Sequence, residues 1–122
     1  MSRAVKLTLA LFLATLGAAA CVGKGNNAPT PQAATYVRVE NQSWLDVNVY
    51  AVFGGTRRRI GMVNGNSTQS LRIPNDVIGI GRSLAFLVDP VGSSHVGTTI
   101  SEIYVRPGQE GLTLTVPPQI GR

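Results

Sequence analysis

Few side chains in this chain are of a kind that does covalent chemistry, and their spacing limits what they could do. There is one cysteine, Cys21, and one histidine, His95. A lone cysteine cannot close a disulfide within the chain or build a cysteine-based zinc site. With a single histidine, no all-protein metal cluster is expected either. His95 follows Ser93 and Ser94. A serine–histidine pair for acyl transfer needs a positioned nucleophile, an orienting acid and an oxyanion hole. No G-x-S-x-G occurs, and loop neighbours rarely reach that geometry. Gly79-Ile80-Gly81 lacks the strand-to-helix setting of a nucleotide loop and reads as a turn. The expectation is therefore a protein with no catalytic residue, no metal and no cofactor.

The residues suited to binding are Trp44, Tyr50, Arg57 and Arg59, in or beside the stretch Leu45–Val63, LDVNVYAVFGGTRRRIGMV. Leu45, Val47, Val49, Ala51 and Phe53 alternate with Asp46, Asn48 and Tyr50, which marks a strand with one buried face. Gly54-Gly55 can take the positive φ angles of a primed hairpin turn. A two-residue loop pairs Phe53 with Thr56 and Tyr50 with Arg59, then Val49 with Ile60 and Val47 with Met62. The last two pairs are apolar on both strands, so the register is self-consistent. It assigns Val47, Val49, Phe53, Ile60 and Met62 to the core. Asn48, Tyr50, Val52, Arg57 and Arg59 fall on the other face.

That outer face has two readings. Tyr50 beside Arg59 makes an exposed cation–π pair worth up to about 1 kcal/mol, which serves ordinary cross-strand stabilisation first. It could also form a flat surface for an acidic partner, a glycan or a phosphate. Arg58 falls opposite Ala51 on the apolar face and must reach the sandwich edge. The run Arg57-Arg58-Arg59 reads as edge-protecting charge. Trp44, the only tryptophan, is expected to cap the open end of the fold, or else to serve as a stacking platform for sugar.

The elements that must carry these residues are short strands. At 122 residues with 14 Gly, 7 Pro and 14% charged residues, the chain has room for one turn-rich domain. Strands are expected at 36–40, 46–53, 57–63, 68–73, 84–88, 100–105 and 112–116. Leu84–Val88, LAFLV, is continuously apolar and should be central, with both faces buried. Residues 75–82 form a glycine-broken connection whose Val77, Ile78 and Ile80 must be partly covered. Asn64-Gly65 marks a turn, and Arg106-Pro107-Gly108 has the type II preference. Seven strands about ten residues apart predict an all-β, seven-stranded antiparallel sandwich of immunoglobulin-like type over residues 36–118, with 119–122 as a tail.

The formal charge is +5; without Arg3 and Lys6, nine basic residues face six acidic ones. A nucleic-acid binder would show a denser basic face, so nucleic acid is not an expected partner. Those two residues belong to a targeting segment, 1–20. Arg3 and Lys6 precede the apolar run Leu7–Leu16, and Gly17-Ala18-Ala19-Ala20 supplies small residues for cleavage. As a helix, Leu7–Ala20 would be about 21 Å long, short of a ~30 Å hydrocarbon core, so a removed signal is expected.

Cys21 follows directly, and the junction resembles the lipobox of bacterial lipoproteins, in which the cysteine becomes the lipidated N-terminus. Ala18 stands where leucine is usual, and the small residues also fit ordinary cleavage. The resemblance implies a membrane tether through lipid on Cys21. With Val22 next and no acidic retention signal, it implies the outer membrane; the alternative is a soluble periplasmic or secreted chain. Residues 21–35, rich in Gly, Asn, Pro and Ala, read as a flexible linker that spans roughly 20 Å. Val39-Glu40-Asn41-Gln42, Asp46–Tyr50, Asp89-Pro90-Val91-Gly92 and Val105-Arg106-Pro107-Gly108 together resemble uncharacterised small exported bacterial proteins made of a signal, a spacer and one β-sandwich. That resemblance implies the architecture and brings no site residues. The expected function is a non-enzymatic, envelope-tethered structural or protein-interaction module. The alternative is a glycan- or anionic-polymer-binding module that uses Trp44, Tyr50, Arg57 and Arg59.

Overall fold

The structure is a computed structural model that describes residues 31–94 and 97–120. The expected signal, Cys21, the expected linker up to residue 30, and His95 lie outside the described residues. Seven strands and one short helix follow in order: β1 (Thr35–Asn41), β2 (Val47–Phe53), β3 (Thr56–Val63), β4 (Ser67–Ile73), α1 (Asn75–Ile78), β5 (Arg82–Pro90), β6 (Thr98–Val105) and β7 (Leu112–Val116). The strands form where apolar residues alternate with polar ones. In β7, Leu112, Leu114 and Val116 are buried while Thr113 and Thr115 are exposed. The strands make two sheets, one ordered β4-β1-β7 and the other β3-β2-β5-β6. Their inner faces share one core of Val37, Val39, Leu114, Val49, Phe86 and Val88, among others. Ile120, expected in the tail, is buried in the same core.

An all-β sandwich is thus present, with two differences from expectation. The strands are not all antiparallel: β1 pairs antiparallel with β4 but parallel with β7, Val37 opposite Leu112 and Asn41 opposite Val116. The strands are also divided differently from the immunoglobulin constant domain, whose first two strands share a sheet. Here β1 and β2 lie in different sheets.

The hairpin of β2 and β3 turns where the two glycines allow it, with φ of 52° at Gly54 and 77° at Gly55. Phe53 faces Thr56 and Tyr50 faces Arg59, as the sequence predicts. Beyond that point the register shifts. Val49 faces Gly61, Asn48 faces Met62 and Val47 faces Val63, which leaves Ile60 as the extra residue of a bulge. The cause is on the opposite sheet. A Cβ on Gly61 would sit 2.7 Å from Leu71 Cδ2, so the bare glycine makes room for a leucine of β4. Met62 therefore leaves the core and is 41% exposed. The other outer strand repeats the device. Phe86 faces Ser101 and Leu87 faces Thr99, so Ile100 is again an extra residue. Ile60 and Ile100 both pack against the core.

β5 is central, between β2 and β6, but only one of its faces is fully buried. Leu84, Phe86 and Val88 are inaccessible, whereas Ala85 and Leu87 are half-buried on the outer face. Among the described residues no further layer covers that face, and Tyr50 lies beside Leu87 there. In the connection after Pro74, Val77 and Ile78 are buried on α1, but Ile80 is fully exposed.

Phe86 is the largest wholly buried side chain. Phe86→Ala is expected to cost about 3–5 kcal/mol. For a domain of this size that approaches the full stability, so urea denaturation should show a midpoint near zero denaturant.

Candidate functional site

Asn41 ends β1 and is 97% buried. Its amide Nδ2 donates to the Leu45 carbonyl at 2.8 Å, the Asn64 carbonyl at 3.0 Å and the Val63 carbonyl at 3.4 Å. Its Oδ1 accepts from the Ser43 N–H at 3.0 Å, the two-residue reach of an asparagine turn. Ser43, also buried, repeats the pattern: its Oγ accepts from the Leu45 N–H at 3.1 Å and its carbonyl from the Asn66 N–H at 2.8 Å. Asp46 adds two links. Its Oδ1 accepts from the Gly65 N–H at 2.9 Å and its carbonyl from the Val91 N–H at 2.8 Å. Three loops are thereby locked together at one end of the sandwich: residues 42–46, 64–66 and 90–92.

Burying Ser43 turns its neighbour outward, and Trp44 is 78% exposed. The expectation that Trp44 caps the sandwich is overturned. Asn41 and Ser43 close that end, and the indole is left in solvent. The turn expected at Asn64-Gly65 is centred one residue later, with Asn66 at φ 51°. Gly65 is needed for space: a Cβ there would lie 2.1 Å from the Trp44 carbonyl oxygen. Leu45, Met62 and Val91 are exposed at this same end, Met62 opposite Asn48 and Val91 bonded to Asp46. The end opposite to where β1 begins thus presents one aromatic and three aliphatic side chains on a rigid polar frame.

The outer face of the hairpin adjoins this end. Asn48, Tyr50, Arg57 and Arg59 lie there, as the sequence predicts, but the partners differ. The guanidinium over the Tyr50 ring belongs to Arg57, 3.8 Å from the centroid, and not to Arg59. Arg57 crosses diagonally over the ring and reaches Asp89 Oδ2 at 3.5 Å. Arg59 Nε donates to Asn48 Oδ1 at 3.0 Å. One face of Tyr50 is thus occupied by Arg57, so Tyr50 is a weaker stacking platform than its exposed position suggests. Arg58, opposite Ala51, reaches Asp76 at 3.6 Å and stays exposed, as expected of the sandwich edge. Sequence reasoning missed the frame. Its signals were the spacing Asn41-x-Ser43-x-Leu45, which suits two successive side-chain turns, and Gly61, since a lone strand glycine marks a bulge or a close approach.

Among the described residues no group of three His, Cys, Asp or Glu is placed to hold a metal, and no helix is long and apolar enough to cross a membrane. Taken together, the fold and this surface define a small two-sheet β-sandwich with a framed apolar end and a basic hairpin face. No family model, no curated protein and no solved structure matches the chain.

Asn41→Ala would leave three carbonyls without their donor and is expected to cost about 2–4 kcal/mol. Hydrogen exchange locates the effect: the amides of Ser43, Leu45 and Asn66 should lose protection first, while those of β5 keep theirs. Arg57→Ala removes only a partly exposed pair and should cost no more than about 1 kcal/mol.

Proposed function

We propose that the protein is a non-enzymatic β-sandwich, exported and tethered to the bacterial envelope by lipid on Cys21, that acts as a protein-interaction module through the Trp44 end. The observation that carries this reading is the 78% exposure of Trp44 on a buried frame, with Leu45, Met62 and Val91 at the same end. Tryptophan and methionine are enriched in the centres of protein interfaces. A rigid frame lowers the ordering cost of binding. The tether joins at Thr35, at the far end of β1, so the Trp44 end would point away from the membrane. The sequence likeness to small exported lipoproteins supports the tether, and Val22 after the cysteine supports the outer membrane. The two-sheet architecture supports the immunoglobulin-like reading in its layers alone, not in its strand order.

A second reading rests on Arg59. Its guanidinium has an amide partner, Asn48, and no carboxylate pair among the described residues. A basic group so placed suits an anionic polymer or a glycan on the hairpin face, with Trp44 as the stacking group and Arg57 beside it.

Site-specific photo-crosslinking in the envelope tests the first reading. A crosslinker at Met62 or Val91 should capture one discrete protein partner, and the yield should fall at least tenfold with Trp44→Ala. A crosslinker at Thr113, on the outer face of the other sheet, should capture none. Equal capture from all three positions would sink the proposal. Salt-sensitive binding to anionic polysaccharide that is lost in Arg59→Ala but kept in Trp44→Ala would select the second reading. Mass spectrometry of the mature N-terminus decides the tether: an acylated Cys21 is expected, and an unmodified one removes it.

A further inference from the structure

The end of the sandwich opposite Trp44 carries Gly79-Ile80-Gly81, between α1 and β5. Both glycines have positive φ, 60° and 124°, values that side chains rarely adopt. A side chain at either position would also have to displace the end of a neighbouring one. A Cβ on Gly79 would meet the Arg82 guanidinium at 2.9 Å, and one on Gly81 the Tyr104 hydroxyl at 2.9 Å. The preceding Val77 and Ile78 are buried, whereas Ile80 is 99% exposed. The backbone therefore turns a β-branched apolar side chain fully into solvent. A single exposed aliphatic residue is ordinary, but the surroundings of Ile80 are not. Tyr104, whose hydroxyl approaches the adjoining Gly81, is 54% exposed, with the Arg106 guanidinium 5.8 Å from its ring. Arg82 lies over Phe53 at 4.7 Å.

This is also the end at which the chain enters the fold. Gln32 Nε2 donates to the Gly79 carbonyl at 3.4 Å. Thr35 Oγ1 accepts from the Gly108 N–H at 2.8 Å. Charge at this end favours anions: Arg58, Arg72, Arg82 and Arg106 stand against Asp76 and Glu110, and Arg58 is paired with Asp76. Ten residues lie between Cys21 and Gln32, so the two are no more than about 40 Å apart even with the chain fully extended.

We propose that this end docks on an anionic lipid surface, with Ile80 entering the interface and Arg82 and Arg106 meeting headgroup phosphates. The proposal rests on the reading that Cys21 is lipidated, which confines this end to the neighbourhood of a bilayer and raises its effective concentration there. A tyrosine with an arginine beside it suits the headgroup level, where an apolar body and a polar tip are both accommodated. Acyl chains combined with basic side chains hold a surface more firmly than either does alone.

The test uses the exported, mature chain on vesicles of phosphatidylcholine and phosphatidylglycerol with brominated acyl chains, which quench tryptophan on contact. The tryptophan is moved by combining Trp44→Phe with Ile80→Trp. Quenching is expected at position 80 and not at Trp44 of the unaltered chain, and it should weaken as salt rises. Arg82→Gln and Arg106→Gln should each lower the affinity of the chain without lipid about fivefold. Ile80→Ser, at a fully exposed position, should fold normally by circular dichroism and also bind more weakly. The tether and the docking surface fail separately. If Cys21 proves unmodified but position 80 is still quenched on anionic vesicles, the tether reading falls and the docking surface stands. No quenching at position 80 in either form, or equal quenching on neutral vesicles, overturns the proposal.

Discussion

One buried amide fixes the geometry of the end that carries Trp44. Asn41 belongs to β1 of the three-stranded sheet, yet its side chain bonds to the segment entering β2 and to the end of β3, both parts of the four-stranded sheet. It thus fastens the two sheets at a corner where no ladder can join them. Loop backbone at such a corner carries polar groups that need partners, and one primary amide with two donors and an acceptor can serve several at once. Because the group is buried and satisfied, the arrangement is stiff, and a missing partner would be costly. Hydrophobic packing alone would hold the layers together without specifying how the loops cross.

The elements were legible because their signal is local. Every expected strand is present, and β7 has its expected limits because Leu-Thr-Leu-Thr-Val alternates without interruption between a glycine and two prolines. The hairpin turn and its first pairs could be read because two adjacent glycines permit one kind of turn. The register beyond Arg59 could not. The unbulged pairing of Val49 with Ile60 and Val47 with Met62 satisfied every apolar position, and the correct one depends on Leu71, which arrives from another sheet. The parallel partner of β1 was hidden for the same reason, since strand order is a property of the whole chain. At the candidate site, Trp44, Tyr50 and the arginines were found by residue type. Which arginine covers Tyr50 followed from side-chain reach across the diagonal, which a register alone does not show. Asn41 and Ser43 were passed over because short polar residues between strands look like any turn.

The four-stranded sheet guards its two open edges alike. Each outer strand spends an isoleucine on a bulge, Ile60 on β3 and Ile100 on β6, and both side chains return to the core. A bulge bends the edge and interrupts the row of free backbone groups that another strand would need. β3 adds three consecutive arginines. The two most exposed large apolar side chains among the described residues, Trp44 and Ile80, lie away from these edges, one at each end of the sandwich.

The placement of β1 between β4 and β7 governs the order in which the molecule can become whole. Among the described strands, β1 has as neighbours β4, from the middle of the order, and β7, which comes last in it, so the two outermost strands in sequence lie side by side in one sheet. Such distant pairings are slow to close, because the chain between them must be ordered first. The hairpin of β2 and β3 can form early and alone. The sheet that holds β1 is completed only when β7 has been synthesised and has docked beside it. Until then Val37 and Val39 have one flank open.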